Sequence, residues 1–101
     1  MSHDRAATLA TSVETLASLA VGHKQNSGIA ARDVLMFCVE PTWYPFDPGS
    51  LMSLDTEHAN CAIDVMRYVL TTRHSIRAFL SDDVFAELHA EWTQSRRTIA
   101  A

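Results

Sequence analysis

Residues 41–49 read Pro41-Thr42-Trp43-Tyr44-Pro45-Phe46-Asp47-Pro48-Gly49, and this stretch decides how the rest of the 101-residue chain is arranged. It holds all three prolines and three aromatic side chains. Proline fixes φ and lacks a backbone donor, so the stretch can form neither a helix interior nor an interior strand. Because helical patterns flank it on both sides, we expect a rigid crossover between two helices.

On either side of the crossover, apolar residues recur at three- and four-residue steps, which is the spacing of amphipathic helices. The predicted helices cover about residues 4–21, 27–40, 55–73 and 82–97, with short helical turns at about 50–54 and 75–80. No pair of segments alternates like a β-hairpin. The sequence therefore predicts an all-α, compact, four-helix bundle-like single domain over residues 1–101, with the aromatic, proline-rich crossover between helices two and three.

Residues that are typical of helix ends mark the limits of these helices. Gly22 stands where a left-handed residue would end helix one, and Pro41 stops helix two. Four residues are placed to act as N-caps, and these are Asp4, Ser27, Asp55 and Ser81.

Each helix has an apolar face that we expect to be buried. In helix two, Arg32, Asp33 and Glu40 fall outside this face and are predicted to point to solvent. The predicted buried face of helix three consists of Ala59, Ala62, Ile63, Met66, Val69 and Leu70. That of helix four consists of Val84, Phe85, Leu88 and Trp92.

The composition is that of an ordinary globular domain, with 48% apolar and 20% charged residues and a formal net charge of -4. The basic residues are scattered, which argues against nucleic-acid binding unless a homodimer gathers Arg67, Arg73 and Arg77 on one face. The mildly acidic balance permits a basic protein partner instead.

Cys38 and Cys61 lie inside helical apolar patterns, which favours buried thiols in a reducing compartment. A disulfide between them stays open, because the two helices could pack face to face. The sequence shows no signal peptide and no apolar stretch near ~18 residues, so we expect a cytoplasmic protein without a membrane segment.

His58 and Cys61 are one helical turn apart and could supply two metal ligands, completed by Cys38, His74 or His89. No established metal motif accompanies them, and a packed thiol beside an exposed histidine explains the pair better. Cys61 with His58 could also be proposed as nucleophile and base, yet no nucleophile turn or Gly-rich loop is present. We therefore expect no enzyme activity, no metal and no cofactor.

The aromatic crossover has two interpretations. It is a lid on the core, or it is a binding surface, because Trp and Tyr are enriched in interface hot spots and proline lowers the cost of ordering them. We expect Trp43 and Phe46 to plug the core and Tyr44 to face outward. The candidate partner-binding residues are Trp43, Tyr44, Phe46 and Asp47.

One run of the sequence resembles a known family. It reads Phe46-Asp47-Pro48-Gly49-Ser50-Leu51-Met52-Ser53-Leu54-Asp55, and Ile63-Asp64-Val65-Met66 follows. It is similar to short uncharacterised helical proteins encoded on integrative and conjugative elements, plasmids and phages of proteobacteria. These carry a helix with adjacent aromatics, a Phe-Asp-Leu turn, a Leu-Trp-x-Val-Asp stretch and a helix with Asp-Met. The resemblance implies a genomic setting and no known activity.

In that setting, small, acidic, all-helical proteins often bind and block a host protein, as anti-CRISPR proteins do, and this chain resembles them in size and charge. The leading hypothesis is thus a non-enzymatic protein-binding protein of a mobile genetic element or phage, whose partner is a host or element-encoded protein. The alternatives are a dimeric nucleic-acid-binding regulator and a small metal-binding protein that uses His58 and Cys61.

Overall fold

The structure, a computed structural model, describes the backbone at residues 2–22 and 25–100 and the side chains at 8–22 and 25–95. Over the described backbone it contains helices and no strand, so the predicted all-α class is confirmed. The α-helices are α1 (Ser2–Gly22), α2 (Asn26–Val39), α3 (Thr56–Thr72) and α4 (Asp82–Ala100), and two 3₁₀ helices cover Pro48–Ser53 and Arg77–Phe79. The radius of gyration is 12.8 Å, close to the ~13 Å of a compact domain of about 100 residues.

Two of the predicted N-caps are confirmed. Asp55 accepts a hydrogen bond from the His58 N–H at 2.9 Å through its side chain, and the Ser81 hydroxyl accepts one from the Val84 N–H at 3.2 Å. These bonds satisfy backbone donors that have no partner inside the first helical turn.

The other two predicted N-caps and the left-handed conformation at the end of helix one are wrong. Helix α1 begins at Ser2, so Asp4 lies inside it, and Gly22 is its last residue without a left-handed φ. Helix α2 begins at Asn26, because the Ile29 N–H donates to the Gln25 carbonyl at 3.0 Å and closes the first turn ahead of Ser27. Local capping preference is weaker than the gain from extending a helix that packs on its neighbours. Residues 23 and 24, between α1 and α2, lie outside the described part of the chain.

Most of the core lies where α1, α2 and α3 meet. The largest fully buried side chains are Val13, Leu16, Val34, Leu35, Met36, Cys38, Val65, Ile76 and Leu88. Helix α4 contributes only Leu88 to this set among its residues up to Ser95, while Phe85 and Trp92 are half-buried and pack against the core. The predicted inward face of α4 is thus confirmed, although it covers the core at its margin.

The buried face of α3 differs from the predicted one. Ile63 and Leu70 are 43% and 61% exposed, whereas Val65 is fully buried. The helix is rotated so that Ala62, Val65 and Val69 face α1 and α2. The apolar pattern of α3 is wide enough to allow both rotations, and the packing of the neighbouring helices selects one.

None of the helices has, over its described residues, both the length and the apolar character that crossing a membrane requires.

Candidate functional site

The crossover is fastened to the end of α2 by its own backbone. The Glu40 carbonyl accepts hydrogen bonds from the N–H groups of Trp43 and Tyr44, both at 3.1 Å. The Glu40 carboxylate also accepts one from the Thr42 N–H at 3.2 Å. Since Pro41 and Pro45 fix their own φ angles, few conformations of this turn remain accessible.

Trp43 and Tyr44 are placed the opposite way round from the prediction. Trp43 is 74% exposed, and Tyr44 is half-buried. The Tyr44 hydroxyl lies 2.9 Å from His89 Nδ1, and its ring meets Trp92 edge-on with centroids 4.8 Å apart. Helix α4 thus offers an aromatic ring and a polar partner at a partly solvent-exposed position. This suits tyrosine, which has an apolar ring and a polar hydroxyl. The expectation that Trp43 plugs the core and Tyr44 faces outward is wrong for this reason.

Phe46 is half-buried against the core, as predicted, and its ring centroid lies 5.4 Å from that of Phe37. Asp47 is exposed, and its Oδ1 accepts a hydrogen bond from the Gly49 N–H at 2.9 Å. Asp47 therefore caps the 3₁₀ helix that begins at Pro48.

A cleft of about 200 Å³ opens between the crossover, α2 and α4. We call it the crossover cleft, and the residues that line it include Arg32, Asp33, Phe46, Asp47, Trp92 and Ser95. It brings two of the predicted partner-binding residues, Phe46 and Asp47, to one concave surface. Trp43 does not line it.

Arg32 lines this cleft and is buried, so the prediction that it points to solvent is wrong. Its Nε and Nη2 donate to Asp33 Oδ1 at 3.0 and 2.8 Å. Its Nη1 donates to the Glu91 carbonyl at 3.3 Å and to Ser95 Oγ at 2.9 Å. A buried guanidinium is tolerated because these acceptors replace water.

The sequence carried a signal for this burial that the polarity of arginine hid. Arg32 is one helical turn from Gly28 and from Leu35 and Met36, all of which are buried. It therefore lies on the packed side of α2, and α4 supplies the acceptors that its guanidinium needs.

Arg77 ties the start of α4 to the segment before it. Its guanidinium carbon lies 4.3 Å from the centroid of the Phe85 ring, and its Nη2 donates to Asp82 at 2.7 Å. Of the three arginines that the dimeric nucleic-acid hypothesis needs, Arg67 and Arg73 are exposed, whereas Arg77 is half-buried in these contacts.

The structure places His58 beside its own helix cap. His58 Nδ1 lies 2.8 Å from Asp55 Oδ1. The His58 N–H, and then the His58 ring, donate hydrogen bonds that hold the pKa of Asp55 below its usual value of 3.8. Within residues 8–22 and 25–95, no three or more His, Cys, Asp or Glu side chains cluster in a way that could hold a metal ion.

Both cysteines are free thiols, so the disulfide that the sequence left open is absent. Cys38 is buried as predicted, and its burial raises the pKa of the thiol to about 12. It is therefore protonated and unreactive at neutral pH. Cys61 is half-buried and packs against the core.

A second concavity, of about 440 Å³, lies between the C-terminal ends of α2 and α3. Val39, Pro41 and Leu70 give it apolar walls, and Arg73 adds a charge at the rim. Arg73 ends α3 in a left-handed conformation with φ of 64°. The concavity starts where the crossover leaves α2, so both surfaces adjoin the same turn.

Comparison with protein-family models, with curated proteins and with solved structures gives no match for this chain. The resemblance to proteins of mobile elements therefore stays a prediction. Function has to be argued from the surfaces themselves.

Proposed function

We propose that this chain is a non-enzymatic protein-binding protein of a mobile genetic element or phage, which acts by binding a host or element-encoded protein in the cytoplasm. Inhibition of a host defence complex, in the manner of anti-CRISPR proteins, is the form of activity that this proposal favours. The observation that carries the binding role is a tryptophan, Trp43, that is 74% exposed on an anchored turn.

An exposed tryptophan on a restrained turn has the properties of a binding anchor. Trp buries roughly 150–250 Å² when it is covered, and it is enriched among the residues that dominate interface energies. The hydrogen bonds to Glu40 and the flanking prolines order the turn before binding. Association then loses less conformational entropy than it would with a flexible loop.

The surroundings of Trp43 supply additional contact surface. Leu70 is 61% exposed and lines the concavity that begins at Pro41. On the other side of the turn, Tyr44 is fixed against α4 by its hydroxyl and its ring. The partner therefore meets an aromatic anchor that stands beside concave surfaces, which is the usual anatomy of a hot-spot region. The free thiols of Cys38 and Cys61 fit a reducing compartment.

The test begins by isolating the partner from host cells and then measures its affinity for purified variants. Trp43→Ala is expected to weaken binding by roughly 1–3 kcal/mol while thermal unfolding is unchanged. Ile29→Ala is the matched control, because Ile29 is an apolar residue that is 39% exposed at the other end of α2. Equal affinities of Trp43→Ala and the unmodified chain would contradict the proposal. Measurement of the mass in solution shows whether a second copy of the chain is the partner.

A further inference from the structure

The crossover cleft has the size and walls of a site for one organic side chain. Its volume of about 200 Å³ exceeds that of the ~150 Å³ apolar cavities that hold benzene. Two aromatic residues, Phe46 and Trp92, line it from different parts of the chain. Aromatic rings attract organic cations that come within about 6 Å of the ring centroid.

Among the described residues that line the cleft, negative charges outnumber positive ones. Two carboxylates, Asp33 and Asp47, accompany one cation, Arg32. Arg32 directs both its Nε and its Nη2 to one oxygen, Asp33 Oδ1. Asp47 uses Oδ1 to cap the 3₁₀ helix and makes no ion pair within the described residues. Within the part of the chain whose side chains are described, the second oxygen of each carboxylate accepts no hydrogen bond and is open to a ligand.

The charges of the cleft differ in their exposure. Arg32 is buried, and its charge is directed to Asp33. Asp47 is exposed on the crossover. The Asp47 carboxylate is therefore the charge of the cleft that a cation from solvent can approach most readily.

We infer that the crossover cleft receives a basic side chain, arginine or lysine, from the partner protein. This rests on the proposed protein-binding function and names the chemistry of the partner at one position. The aliphatic stem of the guest lies along Phe46 and Trp92, and its charged end pairs with Asp47. The net charge of -4 on the chain favours the approach of such a partner.

The inference can be tested without the partner by titrating short capped peptides into the isotope-labelled protein and following its amide and indole NMR signals. The probes are glycine-arginine-glycine, glycine-lysine-glycine and the neutral control glycine-citrulline-glycine. The basic peptides are expected to move the Trp92 indole signal and the amides of residues 46–50. The Trp43 indole signal, which belongs to a residue outside the cleft, should stay in place. Comparison of the affinities of the arginine and lysine peptides shows which cation the site prefers.

Asp47→Asn is the decisive variant, because the asparagine side-chain oxygen can still cap the 3₁₀ helix while its charge is absent. It should weaken binding of the basic peptides about twofold to fivefold, the range of an exposed charge pair. Glu57→Gln, which removes an exposed carboxylate at the start of α3, should leave binding unchanged.

Equal shifts with the citrulline peptide, no shift at Trp92, or equal binding by Asp47→Asn and the unmodified chain would each overturn the inference. Trp43 takes no part in this titration. A negative peptide titration therefore does not contradict the role of Trp43 in partner binding. If Trp43→Ala fails to weaken partner binding, the result of the peptide titration is likewise unaffected.

Discussion

The three-helix part of the molecule, α1 with α2 and α3, differs from the attachment of α4 in how it is held together. The former is joined by fully buried apolar side chains, such as Leu16 and Leu35. Over its residues up to Ser95, helix α4 buries only Leu88 completely, and its other contacts include half-buried apolar side chains and the polar bonds of Arg32. The apolar part is maintained by area removed from water, which needs no directional geometry. The attachment of α4 depends more on directional contacts between specific atoms, such as the hydrogen bonds of Arg32.

The candidate site lies on the side of the molecule where α4 is attached by these directional contacts. Tyr44 orients the crossover by bonding to His89 of α4, and Trp92 of α4 forms a wall of the crossover cleft. Helix α4 is therefore a support for the binding surface as well as a cover for the core. Weakening its attachment should disturb the site before it unfolds the three-helix part.

The largest expected effect tests the apolar half of this comparison. Leu35→Ala removes a fully buried side chain and should lower the free energy of unfolding by about 2–5 kcal/mol, through lost burial and the cavity left behind. Urea denaturation measures this loss. Leu70→Ala is the matched control, since the same side chain is 61% exposed there and should change stability by less than about 1 kcal/mol. Equal losses would mean that α3 has the rotation that the sequence pattern predicted.

The next largest effect tests the polar attachment of α4. Asp33→Ala leaves the buried Arg32 guanidinium without its carboxylate and should cost about 1–3 kcal/mol, less than a fully buried pair because the Asp33 side chain is 26% exposed. Arg32→Met should cost less than Asp33→Ala, because it leaves no buried charge unpaired. Denaturation gives both values, and hydrogen exchange should show the loss concentrated in α4. The reverse order of the two variants would contradict the assigned role of Arg32.

The comparison also explains which features could be predicted from the sequence. The Asp55 cap, the stop at Pro41 and the inward position of Leu88 depend on local chemistry or on an unbroken helical period, and these predictions are confirmed. Local spacing places Arg32 on the packed side of α2, but the acceptors that make its burial tolerable come from residues 91 and 95 of α4, which local spacing does not predict. The exposure of Trp43 and the partial burial of Tyr44 also depend on contacts with α4. Helical periodicity does not predict which side chains of a turn are buried.

A smaller effect tests the contact between the crossover and α4. Tyr44→Phe removes the hydroxyl that bonds His89 and keeps the ring against Trp92, so it should lower stability by roughly 0.5–1 kcal/mol. Tyr68→Phe is the matched control, since the Tyr68 hydroxyl makes no hydrogen bond within the described residues, and it should be close to neutral. Thermal unfolding measures both. If the two variants lose the same stability, the hydroxyl contact does not fasten the crossover.

The smallest expected effect is a difference in pH dependence between the N-caps of α3 and α4. Helix α3 is capped by the Asp55 carboxylate, whose pKa is lowered from 3.8, whereas α4 is capped by the Ser81 hydroxyl, which does not titrate in this range. Because folded Asp55 binds protons less readily than unfolded Asp55, its stabilisation is complete above the unfolded pKa and is lost as pH falls through the folded one. Asp55→Ser keeps a capping oxygen and removes this titration. Urea midpoints measured from about pH 5 to pH 2 should therefore fall more steeply in the unmodified chain than in Asp55→Ser. Parallel curves would mean that the His58 hydrogen bonds do not lower the pKa of Asp55, and the acid sensitivity would then have to arise outside the α3 cap.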